Sequence, residues 1–348
     1  MGRKNKTYQK DLKQQIYDKL LGMLRAGEGT SKKDAIADGT DRDKIHSYNT
    51  YDTYRKHCGY FAAYIQNNHP DCTTIKSAKK YVPEWLQYRV DHGNQKGEPL
   101  SAWTITLERE ALGKLYGITP DDPGFFKTPK RRREDIKRSR VPAARDRHFS
   151  KTNNDEFIRF CKGTGCRRNI IAKLEGRDLI TAAEIRAEIE KLSALPTPTD
   201  AEIMHLHVLQ DAVGNFPNQD YYIHHRTDKG GRERYAPIIG DDVDQIVARM
   251  RATAPHDKVW QHVPTNADIH SYRADYATKI YKMHARPIED IPYDKINKGS
   301  RKRYQSDVYA CRKDEAGKKL DKQAMGKCTK ALGHNRLEIV ANNYIRGL

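Results

Sequence analysis

The sequence predicts a mainly α-helical protein of two domains with a small antiparallel β-sheet in the second, on three observations. Apolar residues recur at helical spacing along most of the chain, two strand-like runs flank one turn-rich loop, and a basic stretch opened by prolines divides the chain between residues 119 and 150.

The elements follow in order. Leu12, Ile16, Leu20 and Met23 share one face of a helix in an N-terminal extension, residues 1–30. Residues 31–118 read as an all-helical module: Tyr51, Tyr54, Phe61 and Ile65, then Trp103, Leu107, Ala111 and Leu115, mark amphipathic helices whose aromatic stripes are core. A third helix, between Thr74 and Val90, is broken or kinked at Pro83, which lacks the N–H a helix interior needs. Pro120, Pro123 and Gly124 end this module, and Lys127 to Arg140 holds eight basic residues against Glu134 and Asp135, a linker over residues 119–150.

In residues 151–348, Phe157, Ile158, Phe160 and Cys161 have helical spacing, and Ile170, Ile171 and Leu174 follow, so Arg167 begins a buried helix at a loop junction. Tyr221 to Arg226 and Glu233 to Ile238 form a hairpin around Thr227 to Arg232, with Lys229 at its tip. Asp268 caps a helix whose buried face takes Ala274, Ala277, Ile280 and Tyr281, leaving His270 and Arg273 in exposed first turns. A basic segment from Arg301 to Lys330, interrupted by glycines, reads as an irregular insertion at about residues 286–330. Ile339, Val340 and Ile345 suggest a short amphipathic helix that presents Tyr344.

Composition narrows the class. With 64 Lys+Arg against 46 Asp+Glu and a formal net charge of +18, the chain attracts polyanions. No run approaches the roughly 20 apolar residues of a membrane span, and Met1 to Lys6 lead into no apolar signal core, so a cytoplasmic, DNA-associated protein without a membrane partner is expected. The six cysteines form no paired Cys-x-x-Cys sites. Cys311, Cys328 and His334 could share a metal in principle, but neither metal nor other cofactor is expected.

Four short stretches carry chemistry: Thr164-Gly165-Cys166-Arg167, Lys229-Gly230-Gly231, His270-Ser271-Tyr272-Arg273, and Leu332-Gly333-His334 followed by Tyr344. Each alone has a plain reading, as a loop entering a helix, a hairpin turn, a polar helix face, or a turn with a histidine in a polar niche. Together, two arginines, a lysine, two histidines and a tyrosine suit attack of a phenol on a DNA phosphodiester. Guanidinium forks at Arg167 and Arg273 match the non-bridging oxygens, where charge develops in the transition state. Arg168 is the rival for the first of these. Tyrosine, with an unperturbed pKa of about 10, needs a neighbouring cation or base before it attacks, and His270 is the candidate. Lys229 can protonate the leaving 5′ oxygen, and His334 can donate to the phosphate. The bond energy is kept in a phosphotyrosine link, so no nucleotide is required.

This order of boxes resembles the tyrosine recombinase, or phage integrase, family over residues 155–348. The resemblance matches Arg167, Lys229, His270, Arg273 and His334 to the family's boxes and makes Tyr344 the nucleophile. It implies a two-domain clamp, a helical core-binding domain plus a mixed α/β catalytic domain, working as a tetramer on paired sites in double-stranded DNA. Three departures stand out. Ile170 replaces an acidic residue frequent in the family, the histidine-to-tyrosine spacing is one residue longer than the commonest, and the stretch from Arg273 to Leu332 is unusually long. The linker residues Lys130, Arg131, Arg132, Arg133, Lys137, Arg138 and Arg140, with Arg301, Lys302 and Arg303, are candidates for phosphate contacts that position DNA without reading sequence. Ile345 to Leu348 make barely one helical turn. Contacts between protomers are therefore expected from the Tyr344 helix, the segment Tyr293 to Lys330 and the helix Leu12 to Leu24. Two other classes remain open: a type IB topoisomerase-like relaxing enzyme, and a DNA-binding protein without strand exchange.

Overall fold

The computed structural model describes residues 10–131, 149–226, 233–291, 307–311 and 316–345. Contacts divide the chain into two compact units, Met1–Asp135 and Ile136–Leu348. Helices dominate both, and the described strands form small antiparallel sheets in the second.

The first unit contains α1 (Leu12–Gly27), α2 (Lys32–Ala37), α3 (Tyr48–Asn68), α4 (Ile75–Ala78), α5 (Val82–His92) and α6 (Ala102–Tyr116). Asp11, Ser31, Ser47, Thr74 and Ser101 each accept the backbone N–H three residues on, supplying a partner the first helical turn lacks. Leu12, Ile16, Leu20 and Met23 of α1 are buried in one cluster with Phe61, Ala62 and Ile65 of α3. The N-terminal helix is therefore part of this core, and its apolar face is not available to a neighbouring protomer. The helix expected between Thr74 and Val90 is split by a 3₁₀ turn at Lys79–Tyr81, and Pro83 sits in the first turn of α5, where a missing N–H costs nothing.

In α6 the buried face runs Ile105, Glu108, Ala111, Leu112 and Leu115, while Trp103 and Leu107 are half-exposed. The face is rotated from the sequence reading because a carboxylate has been drawn inside. Glu108 is wholly buried, 2.9 Å from Arg89 and 3.3 Å from His57. Burial pushes its carboxyl up, but the hydrogen bonds from His57 and Arg89 outweigh this and hold it below the usual carboxylate range.

The second unit runs α7 (Asp155–Thr164), α8 (Arg168–Ile171), β1 (Leu179–Thr181), α9 (Ala182–Ser193), α10 (Asp200–Asn215), β2 (Tyr221–His225), β3 (Arg234–Pro237), α11 (Val243–Ala252), α12 (Ile269–His284), β4 (Val308–Ala310), β5 (Lys319–Asp321), α13 (Lys322–Leu332) and α14 (Leu337–Asn343). Strands β1, β2 and β3 form an antiparallel sheet in that order, with Ile223 opposite Ala236 and His225 opposite Arg234. Successive side chains of a strand point to opposite faces, and this sheet has a hydrophobic cluster on each. Tyr222 and Tyr235 belong to the one that holds α9, α10 and α13, whereas Ile223 belongs to the one that holds α7 and α11. Helix α12 passes between the two, giving Ile269 and Tyr272 to the second and Tyr276, Ala277 and Ile280 to the first. Arg273 lies at that crossing.

Two expectations are corrected. The proposed insertion is not irregular throughout: β4 and β5 pair antiparallel, and α13 is a core helix whose Ala324, Met325, Cys328, Ala331 and Leu332 are buried. Gly326 misled the sequence reading; it lies inside α13, with open space where a side chain would be. Arg273 is not on an exposed turn but is 2% exposed, because its guanidinium finds backbone acceptors inside the protein.

Candidate active site

The site is built where two helices end. Helix α7 stops at Gly165, in a left-handed conformation (φ 59°) whose N–H returns to the Cys161 carbonyl at 3.0 Å. A Cβ at this position would stand 2.2 Å from the Tyr276 ring, so glycine is required on two counts. Helix α13 stops at Gly333 (φ 65°) in a Schellman motif: Gly333 donates to the Lys330 carbonyl at 3.1 Å and His334 to the Thr329 carbonyl at 2.9 Å. These bonds fix the course of the Leu332-Gly333-His334 box.

A helix leaves its last four carbonyls without intrahelical partners. In α13 the motif satisfies those of Thr329 and Lys330, and arginines take the other two. The Arg234 guanidinium donates to Ala331, while Arg273 and, at 3.3 Å, Arg167 donate to Leu332. The other arm of Arg273 donates to the Gly165 carbonyl, so one guanidinium joins the C-termini of α7 and α13. Both ends carry negative partial charge, the right sign for a buried cation. Burial first, then Arg234, push the Arg273 guanidinium down to about 10, against the opposing influence of Tyr344. It remains charged at neutral pH.

Tyr344 follows α14, with its backbone N–H on Val340 at 3.0 Å and its carbonyl accepting from Thr278 at 3.2 Å. Its ring is packed among the other candidates: 5.2 Å from His270, 5.1 Å from His334 and 5.6 Å from the Arg273 guanidinium carbon. His270, exposed on the first turn of α12, is set by the Asp268 cap, which accepts from Ser271 at 3.2 Å. Arg167, His270, Arg273 and Tyr344 line one open cleft of about 460 Å³, with Arg168, the loop that leads into α12, and Ile269. Arg168 is occupied in holding that loop, donating to the Pro264 carbonyl at 2.7 Å and the Ala267 carbonyl at 2.8 Å.

The structure thus brings together five of the six candidate reacting residues, and Lys229 lies outside the described residues. Of the candidate DNA contacts, Lys130 and Arg131 are exposed at the end of the first unit; Arg132, Arg133, Lys137, Arg138, Arg140, Arg301, Lys302 and Arg303 lie outside the described residues. Ile170, half-buried, packs against the α7 cluster, so no carboxylate occupies that position. Among the described residues, no group of three or more His, Cys, Asp or Glu side chains is placed to hold a metal. Two residues beside the site went unnoticed in the sequence, Arg234 and His225. Both are buried, and the Arg234 guanidinium donates to His225 Nδ1 at 3.2 Å.

Chemically, the cleft offers a phenol, the imidazole of His270 and the forked cations Arg167 and Arg273, and the His334 ring at the end of α13 packs against the Tyr344 ring beside it. No protein-family model matches the chain, and no curated protein is significantly similar to it.

Proposed function

We propose that this chain is a tyrosine-type site-specific DNA recombinase, which cleaves and rejoins DNA through a 3′-phosphotyrosine intermediate to integrate or excise a mobile element. The observation that carries the reading is the convergence on Tyr344 of His270 and Arg273 from α12 and of His334 from the end of α13, residues of two boxes that sequence order alone had grouped with it. In this reaction Arg167 and Arg273 hold the non-bridging oxygens of the scissile phosphate. His270 accepts the phenolic proton as Tyr344 Oη attacks phosphorus, and the bond to the 5′ oxygen breaks. The departing oxygen receives a proton, the role assigned to Lys229, and His334 donates to the phosphate. The reverse sequence, with a new 5′ hydroxyl, rejoins the strand. The reading extends to duplex DNA bound by both units, four protomers on paired sites, and a cytoplasmic location.

The deciding experiment is trapping of the covalent adduct. Tyr344→Phe removes only the nucleophilic oxygen, so DNA binding persists and the adduct disappears; an adduct that survives in this variant overturns the assignment. Relaxation of a supercoiled plasmid lacking any selected site separates a topoisomerase-like activity from recombination.

A further inference from the structure

We propose that Arg234 is a positioning residue for the two phosphate-binding arginines, fixing the last turn of α13 from which Leu332 orients Arg167 and Arg273, with His225 as its dedicated acceptor. This rests on the recombinase reading and adds a third guanidinium to it.

Arg234 opens β3 and is 8% exposed. One arm donates to Ala331, adjacent to the carbonyl that Arg167 and Arg273 share, and the other to His225, its register partner on β2. Because His225 Nδ1 accepts, the ring carries its proton on Nε2, which lies 3.9 Å from the sulfur of Cys166, the residue before Arg167. A chain of contacts therefore runs from the Arg167 loop through His225 and Arg234 to the end of α13. Only a neutral imidazole can accept from Arg234. Burial, then the charges of Arg234, Arg273 and Arg167, hold the His225 pKa well below its ordinary value and keep it in that form. A lysine at 234 would bring a point charge in place of a planar fork spanning two acceptors. A phosphate seated on Arg167 and Arg273 would then be misaligned, although neither arginine is altered.

The test uses a nicked duplex selected by this protein from a random-sequence pool, so that the cleaved strand dissociates and the adduct accumulates. Adduct formation is timed on the ordinary phosphodiester and on a methylphosphonate at the scissile position, which removes one negative charge and with it much of the need for the clamp. Arg234→Lys and Arg234→Gln should lower the rate on the phosphodiester on the order of 10- to 100-fold, the scale of a misplacement near 1 Å. The deficit should shrink to a few-fold on the methylphosphonate, as it should for Arg273→Lys. A residue needed only for folding would lower the melting temperature and leave equal deficits on both substrates, and that result overturns the proposal. If the Arg234 variants do not fold, His225→Asn, which keeps an acceptor, and His225→Phe, which does not, decide it. Asn should stay near wild type, and Phe should show the substrate-dependent deficit; equal behaviour of the two overturns the proposal. Adduct formation by the wild type is the control that separates the two claims. Its failure removes the recombinase reading and this inference together, whereas wild-type activity with unaffected variants removes only the inference.

Discussion

At the scale of single residues, the site stabilises its positive charge with backbone carbonyls. Arg273 donates to Gly165 and Leu332 and, among the described residues, pairs with no carboxylate, so on the proposed reading a DNA phosphate would meet a cation whose charge is not already neutralised. Arg273→Lys should therefore reduce adduct formation by at least 100-fold, on the order found when one preorganised oxyanion donor is removed. Arg168→Lys should fall by less than about 10-fold, since Arg168 holds the 264–267 loop. Adduct kinetics rank the two, and the opposite order would make Arg168 the clamp. His225 gives a pH dependence. Its folded pKa is depressed by burial and by Arg234, Arg273, Arg167 and His224, so the unfolded chain binds its proton first as pH falls. Stability is fully present above the unfolded histidine value of about 6.5 and declines below it. Urea titrations between pH 7.5 and 5.5 should show this slope in the wild type and a shallower one in His225→Asn. Glu233 and Asp321, each held at about 2, add a separate loss in more acidic solution, beginning near the ordinary carboxylate range.

At the scale of elements, two of the four boxes, at Gly165 and Gly333, are helix stops. Gly165→Ala places an L-residue in left-handed geometry against Tyr276, a penalty of at least about 1–2 kcal/mol from the backbone alone. Equilibrium unfolding should register it, with adduct formation lost alongside because the Gly165 carbonyl is an Arg273 acceptor. Met325→Ala should cost about 2–5 kcal/mol, as expected for a fully buried methionine and not for a loop position. The periodicity of Phe157 to Cys161, the hairpin flanks and the Asp268 cap could all be read from the sequence, because each is a local pattern with a local cause. Helix α13 could not: Gly326 and its lysines mask an apolar face that only tertiary packing reveals. Arg273 and Arg234 were misjudged or missed for a related reason. A charged residue on a helix face or a strand reads as solvated, and the carbonyls that make burial tolerable belong to a helix end far along the chain.

At the scale of the whole molecule, a formal net charge of +18 should make DNA affinity strongly salt-dependent. Removing one phosphate-binding cation lowers the slope of log K against log salt by about 0.9. Replacing Lys130 and Arg131, both exposed, with alanine should flatten that slope by up to about 2 if each touches a phosphate, a change that fluorescence anisotropy would resolve.

The arginine-held end of α13 also sets when in folding the candidate site is complete. Its bonds, with the one that ties Arg273 to the end of α7, join residues 97, 108 and 165 positions apart, between Arg234 and Ala331, Gly165 and Arg273, and Arg167 and Leu332. Contacts of such separation carry a large loop-closure cost and form once much of the chain has condensed. If the chain is the recombinase proposed above, a partly folded molecule would hold its helices and its basic residues, and so occupy DNA, while having no means to cut it. On the proposed reading, strand breakage would be reserved for the molecule that has finished folding, and local melting of one helix end would withdraw that capacity without releasing the DNA.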